Sequence, residues 1–208
     1  MCESNAISRS ATTVNDASAM SKHGRGSISS FVPPLLRASE LRGYNFPMPT
    51  PAQIIHARPG EGAAFSAVGD VYRHLATGAQ TGGAYVLTEA RVLPGGGPPP
   101  HMHHREDEAF FILEGEIVFT LGGRRIVAGA GTFVQAPRDI PHAFKNESTA
   151  PARMLITVTP PGFERFMEEF AQPVPSFDSP PLPVTPADIE RMFAVAPKYG
   201  IEILPPPQ

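Results

Sequence analysis

Gly95-Gly96-Gly97-Pro98-Pro99-Pro100-His101-Met102-His103-His104-Arg105-Glu106-Asp107-Glu108 carries the most informative side-chain pattern of this 208-residue chain. In a strand, side chains two apart share a face, so His101 and His103 project together and His104 points away. Two imidazoles on one pleated face can share a metal ion. Glu108 has the opposite parity to His103 and cannot join them on one straight strand. The polar run Arg105-Glu106-Asp107 can turn and bring Glu108 back at the start of the next strand. Mixed imidazole and carboxylate ligands suit a divalent transition metal: Fe, Mn, Ni, Co, Cu or Zn.

Around it, residues 66–160 read as strand after strand. Val71–Leu75 and Ala84–Leu93 are short and bounded by Gly or Pro. Glu108–Leu113 is nearly all apolar, and Glu116–Leu121 alternates, with Ile117, Phe119 and Leu121 on one face. Gly122-Gly123 supplies a tight hairpin turn before Arg124–Ala128. Thr132–Gln135, His142–Asn146 and Arg153–Thr159 complete the series. Many short strands with Gly and Pro turns predict an all-β sandwich or barrel.

The flanks differ. Residues 1–30 are Ser-rich and read as a disordered tail, and residues 31–65 as a Pro-rich extended arm. Residues 161–208 carry two predicted helices. Phe163, Phe166, Met167 and Phe170 fall at i, i+3, i+4, i+7, one apolar helix face. Pro173–Pro186 is an extended connector, after which Thr185 caps a second helix with Pro186 in its first turn and Asp188 near its N-terminal dipole. These helices are expected to cover one side of the β unit.

Composition narrows the function classes. The net charge is −3 and the pI about 6.2, without the basic stripe of a nucleic-acid binder. With 41% hydrophobic and 18% charged residues the chain is globular in character. Its one Cys, at position 2, excludes an intramolecular disulfide and a Cys-based metal site. No apolar run is long enough to span a bilayer. The expectation is a cytoplasmic protein with no membrane and no nucleic-acid partner.

A second segment, Gly131 to Asn146, contains Pro137, Asp139 and His142. Together the two segments resemble the paired motifs of the cupin superfamily. The first follows Gly, five residues, His-X-His, four residues, Glu, six residues, Gly, as Gly95, His101, His103, Glu108 and Gly115. The second follows Gly, five, Pro, one, Gly, two, His, three, Asn, as Gly131, Pro137, His142 and Asn146, with Asp139 where the family has Gly. Asp tolerates a left-handed turn better than most residues, so the turn is expected to survive. The resemblance implies a jelly-roll β-barrel in which His101, His103, Glu108 and His142 converge on one divalent metal.

The resemblance also points to small single-domain bacterial cupins compared with quercetin 2,3-dioxygenase. It implies a metal-dependent dioxygenase acting on an aromatic or enolic small molecule, with Glu108 as both ligand and proton acceptor. The other readings of the same site are an isomerase, decarboxylase or lyase using the metal as a Lewis acid, and a non-enzymatic small-molecule-binding protein. Phe110, Ile112, Phe119, Val134 and Phe144 are the candidate apolar pocket residues, and Tyr72, Tyr85 and Gln135 the polar ones. Arg73 and Arg91 are the basic residues that a phosphate-binding version would draw on. Members of this kind pair as dimers, so a homodimer is expected.

Overall fold

In the computed structural model of the protein, the described residues are 53–205. The expected tail, residues 31–52 of the Pro-rich arm, Cys2 and His23 lie outside them. Twelve strands are present among the described residues: β1 Ala64–Ala67, β2 Asp70–Ala76, β3 Val86–Val92, β4 His101–His103, β5 Asp107–Glu114 and β6 Glu116–Leu121. They continue as β7 Arg124–Gly129, β8 Phe133–Ala136, β9 His142–Lys145, β10 Ala152–Thr159, β11 Gln172–Val174 and β12 Ile201–Ile203. The helices are α1 Phe163–Phe170 and α2 Pro186–Val195, the latter followed by a 3-10 turn at Ala196–Tyr199. None of the helices among the described residues is long and apolar enough to cross a membrane.

All pairings are antiparallel, in two sheets. One has the order β11-β1-β2-β3-β10-β5-β8 and the other β12-β4-β9-β6-β7. The all-β jelly roll with two C-terminal helices is the architecture read from the sequence. Period-two alternation decides what faces inward. On β5, Glu108, Phe110 and Ile112 are buried while Phe111 is exposed, and on β10 Met154, Ile156 and Val158 are buried. The facing sheet answers with Phe119 of β6 and Phe144 of β9, whose rings lie 4.9 and 5.9 Å from that of Phe110. Burying each such ring contributes roughly 2–3 kcal/mol, so this aromatic triad is a main tie between the sheets.

Local signals account for the turns. Gly122 and Gly123 both take positive φ, 52° and 79°, and close the β6–β7 hairpin. Asp139 adopts φ 62°, so the left-handed turn is made with Asp in place of Gly. Thr185 and Asp188 form a reciprocal cap at α2, with Asp188 N to Thr185 Oγ1 at 3.3 Å and Thr185 N to Asp188 Oδ2 at 2.9 Å.

The sheets draw on more of the chain than residues 66–160. β11 pairs with β1, and β12 pairs with β4 over Ile201–His103, Glu202–Met102 and Ile203–His101. The Pro-rich connector also departs from a plain spacer. It crosses the outer face of β1–β3, where Leu182 N bonds Ser66 Oγ at 2.9 Å. Phe177 is buried there against the Arg73 and Arg91 guanidinium groups, 4.9 and 5.9 Å from its ring centre.

Asp70 is fully buried at the start of β2. Its Oδ1 accepts from Leu93 N at 2.9 Å, and its Oδ2 has no partner among the described residues. Burial raises its pKa to about 7, against the pull of the Leu93 and Gly97 amides and the Arg91 charge. Between an unfolded value near 3.8 and the folded value the native state holds the extra proton. Stability is therefore highest below that window and falls as pH rises through it. Urea unfolding should show a loss of about 3 kcal/mol between pH 5 and pH 8 from this group, and Asp70→Asn should flatten that slope.

Candidate metal centre and its cavity

His101 and His103 stand on the same face of β4, with His142 beside them on β9 through the pairing His101–His142. The bend at residues 104–106 carries the chain from one sheet to the other, and Glu108 enters on β5 from across the barrel. One ligand atom from each of these four buried side chains lies within 4.8 Å of the others. Glu108 Oε2 is 3.0 Å from His142 Nε2 and 3.6 Å from His103 Nε2.

The second nitrogen of each imidazole is tied back to the protein. His101 Nδ1 meets the Pro99 carbonyl at 2.9 Å, His142 Nδ1 the Ile140 carbonyl at 3.0 Å, and His103 Nδ1 the Glu106 carboxylate at 3.3 Å. Such contacts make Nδ1 the protonated nitrogen and leave Nε2 with a lone pair for a cation. His103 Nε2 is buried with no hydrogen-bond partner among the described residues. An orphaned nitrogen aimed at two other imidazoles and a carboxylate is costly in the protein alone, and a cation resolves it. The donor set fits a divalent transition metal.

Electrostatics agree with the geometry. Burial, with His142 and His103 alongside, lowers the His101 pKa to about 3, so it is a neutral lone-pair donor. Burial pushes the Glu108 carboxyl up, but the His142 hydrogen bond and the neighbouring imidazoles outweigh it and hold the pKa at about 2. Burial lowers His142, yet the Glu108 hydrogen bond and charge leave it above its ordinary value. His104 lies outside this cluster. It is exposed, with Nδ1 2.7 Å from Asp139 Oδ1 and Nε2 3.1 Å from Glu202 Oε2, and these bonds raise its pKa.

The loop before β4 is shaped by close approach. Gly97 has φ 129°, and a Cβ there would run into the Phe144 carbonyl oxygen. Pro98 and Pro99 follow and line a cavity with about 520 Å³ of empty space, counting its open mouth.

The structure divides the expected pocket residues. Tyr72 and Phe144 line the cavity beside His101, His103 and Glu108. Phe110, Ile112, Phe119 and Val134 point inward but pack in the core beyond the lining. Tyr85 and Gln135 correct the expectation: both are exposed, because Tyr85 precedes β3 and Gln135 lies at the outward parity of β8. Arg73 and Arg91 stand on the outer face, where Arg73 Nε bonds Glu89 at 2.8 Å and Arg91 bonds the Ser179 carbonyl. The walls not assigned from sequence are Phe163, Phe166, Met167 and Phe170 of α1 and Met192 of α2. The i, i+3, i+4, i+7 pattern gave α1 its apolar face, but what that face meets is a tertiary fact.

Residues 88–158 match the family model described as a cupin domain. Among curated proteins, an uncharacterized protein of Methanocaldococcus jannaschii, MJ1618, is 31% identical over 75 residues, 36% of this chain and 60% of that one. Quercetin 2,3-dioxygenase of Bacillus subtilis is 25% identical over 114 residues, 55% of this chain and 34% of that one. The chain thus spans less than two thirds of the length of either relative. Among solved structures, TT1209 from Thermus thermophilus is 31% identical, with a TM-score of 0.37, covering 38% of this chain and 74% of that one.

Titration of the metal-free protein with Co(II) should separate the histidines. His101→Ala and His142→Ala should each lower affinity more than about a hundredfold, and His104→Ala less than about tenfold. Glu106→Gln, which alters the group bonded to His103 Nδ1, should fall between, at about 10–100-fold.

Proposed function

Since the chain belongs to the cupin superfamily, we propose that it is a metal-dependent dioxygenase acting on a small enolic or aromatic molecule. The observation that carries this reading is the convergence of three imidazoles and one carboxylate at the end of an apolar cavity. His101, His103, Glu108 and His142 would hold the metal. A three-His, one-Glu set leaves a metal of coordination number five or six open to further ligands. The partial similarity to a quercetin 2,3-dioxygenase supports the oxygenase branch.

The bound metal would supply Lewis acidity toward a substrate oxygen and one-electron chemistry toward dioxygen. The chain's own residues do the rest. Glu108, buried yet held ionised, would be both a ligand to the metal and the acceptor for the proton of the substrate hydroxyl. The Tyr72 hydroxyl, whose pKa burial and the Asp70 and Glu108 charges keep well above its ordinary value, stays a donor and orients the substrate oxygen. The tied Nδ1 atoms fix the imidazoles, so little reorganisation is needed as charge develops. Phe144, Ile156 and the aromatic face of α1 exclude water from the activated substrate. Dioxygen, the co-substrate, is reduced as the substrate carbons are oxidised, and both of its atoms enter the product.

The test is oxygen uptake by protein loaded separately with Fe(II), Mn(II), Ni(II), Co(II) and Cu(II). The substrates offered are flavonols, catechols and 1,3-diketones. Uptake that requires both a metal and a substrate, and is lost in His101→Ala, is the expected result. Full metal occupancy with no uptake for any pair would replace this reading with Lewis-acid chemistry or binding alone.

A further inference from the structure

The cavity is uneven in its chemistry. Its polar side chains are His101, His103, Glu108 and Tyr72, and the other residues of its wall are apolar. His101, His103 and Glu108 meet at one end of it, and Tyr72 lines the same cavity. Among the described residues no Lys or Arg reaches the cavity wall; Arg73 and Arg91 are committed to Glu89, Ser179 and Phe177 on the outer face.

Charge then sets what fits. Three neutral imidazoles and one carboxylate around a divalent cation leave a net charge of about +1, which one monoanionic oxygen group balances. A second anionic group on the ligand would either crowd a metal end whose charge the first already balances, as in a compact dianion, or lie against Phe166, Met167 or Phe170 with no partner. Such an unpaired buried charge is strongly disfavoured. Shape adds a limit. The empty space, about 520 Å³ with its open mouth counted, lies in the lower part of the range for small-molecule sites and is walled by the aromatic face of α1.

Alongside Ala67, Val68, Phe144 and Ile156 of the barrel, the apolar wall is built by the C-terminal extension. Phe163, Phe166, Met167 and Phe170 come from α1 and Met192 from α2, all beyond the cupin domain that ends at residue 158. Phe163 reaches the metal end itself, its ring 5.9 Å from that of His103. Ile201 and Ile203 of β12 close the same side.

We propose that the C-terminal extension makes this cavity selective for a slim molecule of about one ring, carrying its oxygen donors at one end and no charge elsewhere. The inference rests on the metal centre proposed above but not on the dioxygen chemistry. It excludes compact dianions such as oxalate, and phosphorylated substrates.

The test uses the full chain and three probes: benzoylacetone, oxalate and phosphoglycolate. In Co(II)-loaded protein the visible absorption bands report ligands entering the coordination sphere. Benzoylacetone should perturb them at a concentration at least about tenfold lower than either dianion, given the cost of an unpaired buried charge. Met192→Ala and Phe170→Ala should weaken benzoylacetone about tenfold and leave oxalate, which would touch only the metal end, unchanged. Met192→Leu keeps the volume and should behave as the parent, which guards against variants that fold poorly. Either dianion binding as tightly as benzoylacetone overturns the proposal, as does equal weakening of all probes by the two Ala variants. A parent protein that takes up no Co(II) sinks the metal centre instead. The cavity is then judged on metal-free protein: benzoylacetone should raise the melting temperature where the dianions do not, and no difference overturns the selectivity.

Discussion

Four buried polar side chains share one point in this barrel, and none of them satisfies the others completely. His103 Nε2 has no hydrogen-bond partner among the described residues, and the Glu108 carboxylate remains ionised in an interior that would otherwise protonate it. Such an arrangement persists only if the surrounding structure holds each group in place. Here the Pro99 and Ile140 carbonyls and the Glu106 carboxylate fix the imidazoles from behind. Their placement depends on a bend between two sheets at residues 104–106, and that bend depends on neighbours. Asp139 N bonds the His103 carbonyl at 2.8 Å, and His104 N bonds the Gly200 carbonyl at 2.8 Å.

The cluster itself was legible because it is local in sequence and obeys strand parity. His101 and His103 share a face by period two, and Glu108 needed only a turn to join them. The strands of the core were legible for the same reason: alternation on β5, β6 and β10 and Gly pairs at the turns are short-range signals. The left-handed turn was readable even with Asp139 in the Gly position. That substitution also carries a consequence invisible in one dimension, since the Asp139 carboxylate binds His104.

What escaped the sequence is long-range. Tyr85 and Gln135 have the chemistry of pocket residues, but one residue of register sends a side chain outward. Phe110, Ile112, Phe119 and Val134 are apolar and inward, yet whether such a side chain meets a cavity or another side chain depends on the opposite sheet. The helix face of α1 announced that it would be buried without naming its partner. β11 and β12 are three residues long, too short for periodicity to distinguish them from the extended chain around them. Both are defined by the edges they cover.

The edge covered by β12 matters for the order of events as the chain is made. β4 meets β9 at a single pair of residues but meets β12 at three. The strand bearing His101 and His103 therefore waits for a partner synthesised roughly a hundred residues later, roughly 5–20 s at ordinary elongation rates. Until Ile201–Ile203 has left the ribosome, the barrel can close around its aromatic core while its histidine edge stays open. The last of the described strands to arrive thus acts as the latch on the first motif to emerge.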